Sequence, residues 1–354
     1  MIHFDNSTEN RQWGHYTLYT LKNDLGTKVE ISDLGAAIIN FWVRDRDHRV
    51  RNIVLGYNDS ASYLNSSSYL SGVIPSQTVK NQYAELHKSR WTLVALAAQH
   101  ITLETSLVLN DHATAQSIAS PQAITVMVTY RLSDDNELTQ HIWAEPNFPC
   151  SLDITSHSYF NLLGRHHDIT DHIVNIDADL CWPLNTSPQE ALPSMDVAAD
   201  FKQPKSIRIG IAEQVRLGQP DGYAQNYRLN GHGLRTVCWV FEPTTGLSFE
   251  LLSDKSAVQF NTGRHLQLEQ DDYAPYSGFC FEPMQLPTQS NFANGSSPKA
   301  SINHLDCGQS IADGIKINES TLAVDNTAAL WFDENRPYSS TTIYKVQVEP
   351  QFSH

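Results

Sequence analysis

Ser156-His157-Ser158-Tyr159-Phe160-Asn161-Leu162 sets an ionisable imidazole inside a run of interleaved polar and bulky side chains. From Asp153 to Leu162 the interleaving has a rough period of two, which predicts a strand whose successive side chains point to opposite faces. His157, Tyr159 and Asn161 then share one face. An imidazole that titrates near neutrality, an aromatic ring and a carboxamide on a common surface suit a polar ligand with one stackable apolar side, as a pyranose has. They also suit a core strand carrying one hydrogen-bonded histidine. These residues alone leave both readings open.

The same period recurs along the chain. Tyr16 to Leu21, Ala36 to Val43, Trp91 to Ala97, Ala123 to Leu132, Trp239 to Glu242 and Thr341 to Val348 alternate and are rich in Ser, Thr, Val, Ile and aromatics. Between such segments lie Asn23 to Gly26, Ser133 to Asn136, Asn185 to Pro188 and Pro243 to Gly246, all built from residues that favour turns. Long Leu/Ala/Glu/Lys runs are missing, so the chain reads as all-β, a large antiparallel β-sandwich rather than a series of βαβ units. Its 354 residues contain no composition break that would serve as a linker, so a single domain over residues 1–354 is expected. Residues 296–335, rich in Ser, Asn, Asp and Gly, read as an insertion, within which Ile315 to Val324 is a candidate edge strand.

Charge and cysteine usage narrow the class of partner. A formal net charge of −15 argues against nucleic acid, because phosphate binding needs clustered Lys and Arg. The cysteines at 150, 181, 238, 280 and 307 are odd in number and lack CxxC or metal-ligand spacing, as expected of free thiols in a reducing compartment. Met1 to Asn6 has no basic region leading into an apolar core, and no apolar run is long enough to span a bilayer. The expectation is a cytoplasmic monomer or homodimer without a membrane partner.

Several blocks, taken in order, closely resemble the aldose 1-epimerase (galactose mutarotase) family. The opening stretch is similar to its His-Ser/Thr-Tyr-Phe-Asn-Leu motif. Val29 to Ala36, Asn52 to Tyr57, Gly222 to Leu229, Gln259 to Gly263 and Gly278 to Pro283 follow the family's order, spanning roughly residues 10 to 292 and resuming near Tyr338 to Val348. The resemblance implies a supersandwich with a sugar groove across its concave sheet. It also implies a small-molecule carbohydrate as ligand and interconversion of α and β anomers as the reaction.

That reaction fixes the residue types it needs. One group must take the proton of the C1 hydroxyl and another must protonate the ring oxygen, so the ring opens to an aldehyde, rotates about C1–C2 and recloses; no metal or redox cofactor is required. The resemblance assigns Glu282 as the general base and His157 as the general acid. A carboxylate with a pKa of about 4.3 is ionised at neutral pH, whereas a histidine near about 6.5 is only partly protonated. A neighbouring carboxylate would raise that fraction, and Glu282, Asp153 and Asp221 are the candidates. Pro283 stiffens the backbone beside Glu282. The two catalytic side chains are expected to face one groove, roughly a pyranose ring apart, with a gap between them.

Departures from the family pattern fall in the sugar-recognising residues. Where the family carries Gly-Arg-x-Ala-Asn-Arg-Ile, this chain reads Pro75 to Asn81, with Lys80 near the place of the arginine; an ammonium cannot make the bidentate fork of a guanidinium. The family's Asn-His-Leu-His-Gly-Gly segment is mostly absent, leaving His87 as a candidate for its second histidine or as an ordinary strand residue. Gly-Tyr-Asp-His-Asn-Tyr becomes Gly222-Tyr223-Ala224-Gln225-Asn226-Tyr227, which removes an aspartate that would accept from sugar hydroxyls. Asp221 and Gln225 are the candidates to compensate. Asn261 stands where the family commonly has Tyr. With Tyr159 and Asn161, these make the expected binding set, around a sugar other than the usual galactose or glucose or with relaxed specificity. A catalytically weak or inactive carbohydrate-binding or regulatory protein on the same fold, or an isomerase or cyclase acting on a non-sugar substrate, stands as the alternative.

Overall fold

The computed structural model describes residues 9–66, 68, 70–76, 85–109, 121–184, 196–266, 273–286 and 330–350. Its strands pair antiparallel throughout the three large sheets. A nine-stranded sheet runs, in spatial order, Lys205–Ser206, Ile173–Ile176, Arg235–Phe241, Leu247–Ser253, Tyr338–Val348, Glu137–Pro146, Gln122–Leu132, His100–Leu109 and Thr92–Ala97. An N-terminal five-stranded sheet comprises Glu9–Trp13, Tyr16–Lys22, Lys28–Ser32, Ile38–Arg44 and Val50–Asn52. A second five-stranded sheet has the order Tyr159–Phe160, Phe279–Met284, Ala257–Asn261, Ala224–Leu229 and Ala178–Pro183. The predicted insertion is described only from Leu330 onward, where Trp331–Phe332 pairs with Cys150–Ser151; Lys80, Cys307 and Ile315 to Val324 lie outside the described residues.

Alternation sets which face of each strand enters the core. In Gln122–Leu132 the side chains of Ile124, Val126, Val128, Tyr130 and Leu132 are buried and the residues between them are half-exposed or, at Arg131, exposed, as a sheet with one packed face requires. The second five-stranded sheet packs onto the nine-stranded one through aromatic rings. Phe160 lies 4.7 Å from Phe249 and 5.4 Å from Tyr344, and Phe249 lies 5.6 Å from Phe279. Each fully buried phenylalanine contributes about 1.5–3 kcal/mol of transfer free energy. This layer fixes the inward face of the strand Phe279–Met284, and thereby turns Cys280 and Glu282 to the opposite face.

The segment Asp153 to Leu162 is not one strand. Ile154–Ser156 pairs with Val73–Pro75, whereas Tyr159–Phe160 pairs with Phe279–Met284. The chain changes partner at His157-Ser158. There the His157 amide donates to the Gly72 carbonyl at 3.0 Å and the Ser71 amide donates to the His157 carbonyl at 2.7 Å. The helix Ile207–Arg216 caps one end of the large sheet, its first turn closed by the Ser206 hydroxyl accepting from the Ile209 amide. No helix among the described residues is long and apolar enough to cross a membrane.

Candidate active site

Strand register assembles a polar row on the outer face of the second five-stranded sheet. Glu282 pairs with Gln259, Gln259 with Asn226 and Asn226 with Trp182. Directly paired residues project from the same face, so these four side chains lie side by side across four strands. A parallel row one step along the strands holds Tyr159, Cys280, Asn261 and Ala224. His157, at the partner switch, swings onto the first row: its Nε2 is 3.3 Å from Glu282 Oε1.

Both members of this pair are nearly enclosed, His157 being 7% and Glu282 4% exposed. The other ring nitrogen of His157, Nδ1, is 3.0 Å from the Ser68 carbonyl, which can only accept. Nδ1 therefore carries a proton, and the imidazolium form donates from Nε2 to Glu282. Burial alone would depress the histidine's pKa; the Glu282 carboxylate offsets that, and with the Ser68 carbonyl raises it above the ordinary value. The Tyr159 ring stands edge-on to the imidazole with centroids 5.0 Å apart, which fixes its tilt. On the other side Gln259 Nε2 donates to Glu282 Oε1 at 3.1 Å.

The expectation that His157 and Glu282 stand roughly a pyranose ring apart with a gap between them is corrected: both side chains are buried and in direct contact, Nε2 to Oε1 3.3 Å.

Two buried acceptors lie on the same face of the sheet as Glu282. Asn226 Oδ1 and Gln259 Oε1 have no hydrogen-bond partner among the described residues, although both side chains are buried. An unpaired buried carboxamide oxygen costs about 1–3 kcal/mol, which a hydroxyl donor from a ligand would remove. Neither residue stood out in the sequence, because a strand amide reads as ordinary alternation until its register is known. Ala224 shares their face and offers no acceptor.

The other predicted binding residues are placed as follows. Gln225 pairs with Phe260, which pairs with Phe281, so it projects from the face opposite Glu282; Tyr227 on that face donates to Gln225 Oε1 at 3.3 Å. Strand parity thus places Asn226, and not Gln225, on the face of Glu282. Asn161 is fully buried and committed to backbone: its Nδ2 donates to the His167 and Ser277 carbonyls, and its Oδ1 accepts from the Leu163 amide. It shapes the chain after the switch and does not face Glu282. Asn261 lies on the site's face, but its Oδ1 accepts from the Gly263 amide at 2.8 Å. Asp221 stands in the loop before Ala224–Leu229, 2.6 Å from Arg264 and accepting from the Tyr276 hydroxyl at 3.1 Å, so it is half-exposed and already paired.

His87 sits close behind the pair, on the short 3-10 turn Leu86–Lys88. Gly72, whose carbonyl accepts from the His157 amide, has no room for a Cβ: one placed there would lie 2.7 Å from the His87 Cβ. Burial, with Lys88 and His157 nearby, pushes the His87 pKa down to about 4, so this imidazole is neutral at pH 7.

A buried ionic knot ties the chain before Ile154–Ser156 to the end of Phe279–Met284. Asp153, just before Ile154–Ser156, accepts at Oδ1 from Lys255 Nζ at 2.7 Å and at Oδ2 from the Gln285 amide at 2.8 Å and the Ser76 hydroxyl. Lys255 also donates to the Tyr338 hydroxyl at 2.7 Å. Burial disfavours the ammonium, but Asp153 and Tyr338 overcome it and raise the lysine's pKa. Asp153 is therefore committed here, and Glu282 is the carboxylate that acts on His157. Cys280 Sγ is the remaining reactive atom nearby, 4.0 Å from Glu282 Oε1; with His157 it forms a set of three buried donor atoms within 4.8 Å of one another.

Comparison with known proteins shows the family and the fold. A family model described as aldose 1-epimerase matches residues 17–86 and 83–301. The aldose 1-epimerase of Escherichia coli K12 is 26% identical over 317 residues, covering 80% of this chain and 90% of that protein. Human galactose mutarotase is 27% identical over 301 residues, covering 77% and 86% respectively. Among solved structures, an aldose epimerase homologue from C. elegans superposes with a TM-score of 0.70 at 13% identity, over 96% of this chain and all of that one. A galactose 1-epimerase from Lactobacillus acidophilus gives 0.69 at 16% identity, over 96% and 98%. These two share the fold.

Proposed function

Because this chain belongs to the aldose 1-epimerase family, we propose that it interconverts the α and β anomers of a hexose or related aldose. Glu282 is the general base and His157 the general acid. The observation that carries this reading is the buried contact of His157 Nε2 with Glu282 Oε1 at 3.3 Å, next to two carboxamide oxygens without partners.

The proton movements follow from the charges. The Glu282 carboxylate takes the C1 hydroxyl proton while the His157 imidazolium gives its Nε2 proton to the ring oxygen, and the C1–O5 bond breaks to leave an aldehyde. After rotation about C1–C2, neutral His157 takes the proton back from the C5 hydroxyl as its oxygen attacks C1 from the other face. Glu282 returns its proton to the former carbonyl oxygen. Both groups end as they began, and a catalysed step of this kind contributes about 10²–10⁴-fold.

Recognition differs from the family pattern that the sequence resembles. Ala224 supplies no acceptor, and in this reading Asn226 Oδ1 and Gln259 Oε1 accept from sugar hydroxyls in its stead. The altered set supports an aldose other than galactose or glucose, or a broader range. Two-dimensional NMR exchange on a panel of freshly equilibrated aldoses tests this: at least one anomer pair should exchange faster with protein than without. Binding of a sugar with no acceleration would favour a carbohydrate-binding protein, and a panel without binding or acceleration would overturn the sugar reading.

A further inference from the structure

Cys280 is not used by the proton transfers above, yet its sulfur lies in the same buried face. It pairs in register with Tyr159 on one side and Asn261 on the other, two residues before Glu282. Its Sγ, His157 Nε2 and Glu282 Oε1 lie within 4.8 Å of one another, with nitrogen to oxygen 3.3 Å and sulfur to oxygen 4.0 Å. Ligands held about 2.0–2.3 Å from a tetrahedral zinc ion are about 3.3–3.6 Å apart. The nitrogen–oxygen edge already has that length, and the sulfur–oxygen edge is longer by only a few tenths of an ångström.

We propose that His157, Cys280 and Glu282 form a three-ligand site for a thiophilic divalent cation of the zinc class, and that the bound cation inhibits the protein by occupying its acid and base. Three further features favour such a site. One thiolate and one carboxylate cancel the ion's double charge, so a neutral assembly is buried instead of a bare charge. Nitrogen, sulfur and a single carboxylate oxygen suit zinc, cadmium or cobalt and not magnesium or calcium, which take oxygen ligands. The outer contacts are those of ligating side chains: Nδ1 of His157 donates to the Ser68 carbonyl, leaving Nε2 to the metal, and Gln259 holds the carboxylate. Three protein ligands leave a fourth position open to water or a sugar hydroxyl. Binding displaces the thiol proton and any proton on Nε2 to solvent, with no change of oxidation state.

The ligand set is independent of the proposed epimerase reaction, and only the inhibition rests on that reading. The test therefore has a spectroscopic arm that uses no sugar. Titration of the full-length protein with Cd²⁺ should give one equivalent of a thiolate-to-metal ultraviolet charge-transfer band, absent in Cys280→Ser and weakened in His157→Asn. Co²⁺ loading of the unaltered protein, which does not depend on any variant folding, should give the intense visible bands of a four-coordinate sulfur-ligated ion. Zn²⁺ should abolish the catalysed anomer exchange of the wild type, with recovery on adding EDTA. A charge-transfer band that persists in Cys280→Ser, or cobalt spectra with only weak six-coordinate bands, would overturn the site. Stoichiometric Cd²⁺ binding at Cys280 with catalysed exchange undiminished by Zn²⁺ would overturn the inhibition.

Discussion

Nε2 of His157, at the switch between two short strands, lies 3.3 Å from Oε1 of Glu282, on the strand Phe279–Met284 in a distant part of the chain. The strand Phe279–Met284 carries the carboxylate and also pairs with Tyr159–Phe160, which begins two residues after the histidine. A single two-residue ladder therefore links the two side chains. The consequence is electrostatic as well as geometric, since burial lowers the pKa of the imidazole and the carboxylate in contact raises it, with a net shift upward.

Replacing Glu282 by Gln removes the attraction and leaves the burial. The His157 pKa should then fall below the ordinary value of about 6.5, whereas in the wild type it stands above it. NMR titration of the His157 ring protons reads this directly. The sign carries over to stability: a raised folded-state pKa stabilises fully below about pH 6.5 and ceases to do so as pH rises through the folded value. The advantage that this pair gives the wild type over Glu282→Gln should accordingly shrink above neutrality, as urea unfolding at a series of pH values would record. Catalysed exchange should decline along the same alkaline limb.

Asn226→Ala separates recognition from structure. Its buried Oδ1 has no partner among the described residues, so truncation should change stability by only about 1 kcal/mol. Loss of an acceptor from a sugar hydroxyl should instead cost about 1–3 kcal/mol in kcat/KM, roughly 5- to 150-fold. Steady-state kinetics beside a urea melt would distinguish the two; a large loss of stability with unchanged kcat/KM would assign Asn226 to the core.

Much of this was legible in the sequence, and what was not depends on register. Alternation in Gln122–Leu132 or Tyr338–Val348 announces a strand without further information, because each has one packed face. His157 and Glu282 could be named from their motifs. The continuity of Asp153 to Leu162 could not be checked locally, since its period survives a change of partner at His157 that only the pairing reveals. Gln225 and Asn226 show the same limit: one-residue parity decides which amide faces the site, and it is set by Phe260 and Phe281 on neighbouring strands. Gln259, an amide between the apolar Val258 and Phe260, was the available signal for a polar face, but it gained meaning only beside Glu282.

The Asp153–Lys255 knot predicts a stability effect that reaches the site. Lys255→Met leaves the Asp153 carboxylate buried without its cation and should cost about 3–5 kcal/mol. Because Asp153 also holds the Gln285 amide, three residues after Glu282, kcat should fall more than KM rises. Thermal unfolding together with exchange kinetics measures both. Retention of wild-type stability would mean that the knot contributes little.

Gly72 is a packing constraint next to His157. An alanine methyl there meets the Tyr63 hydroxyl and, at 2.7 Å, the His87 Cβ, so Gly72→Ala should destabilise by about 1–3 kcal/mol and displace the His157 amide that bonds Gly72. Denaturant unfolding reads the first effect and the His157 ring resonances read the second. An unperturbed variant would show that the turn at His87 yields easily.

The most direct measurement is NMR exchange between anomers of the best-accelerated aldose, with wild type, Glu282→Gln and His157→Asn compared at equal concentration near pH 7. The acid–base pair predicts acceleration by the wild type and exchange at the uncatalysed rate with either variant, each variant remaining folded by circular dichroism. Catalysed exchange that survives intact in folded Glu282→Gln would contradict it.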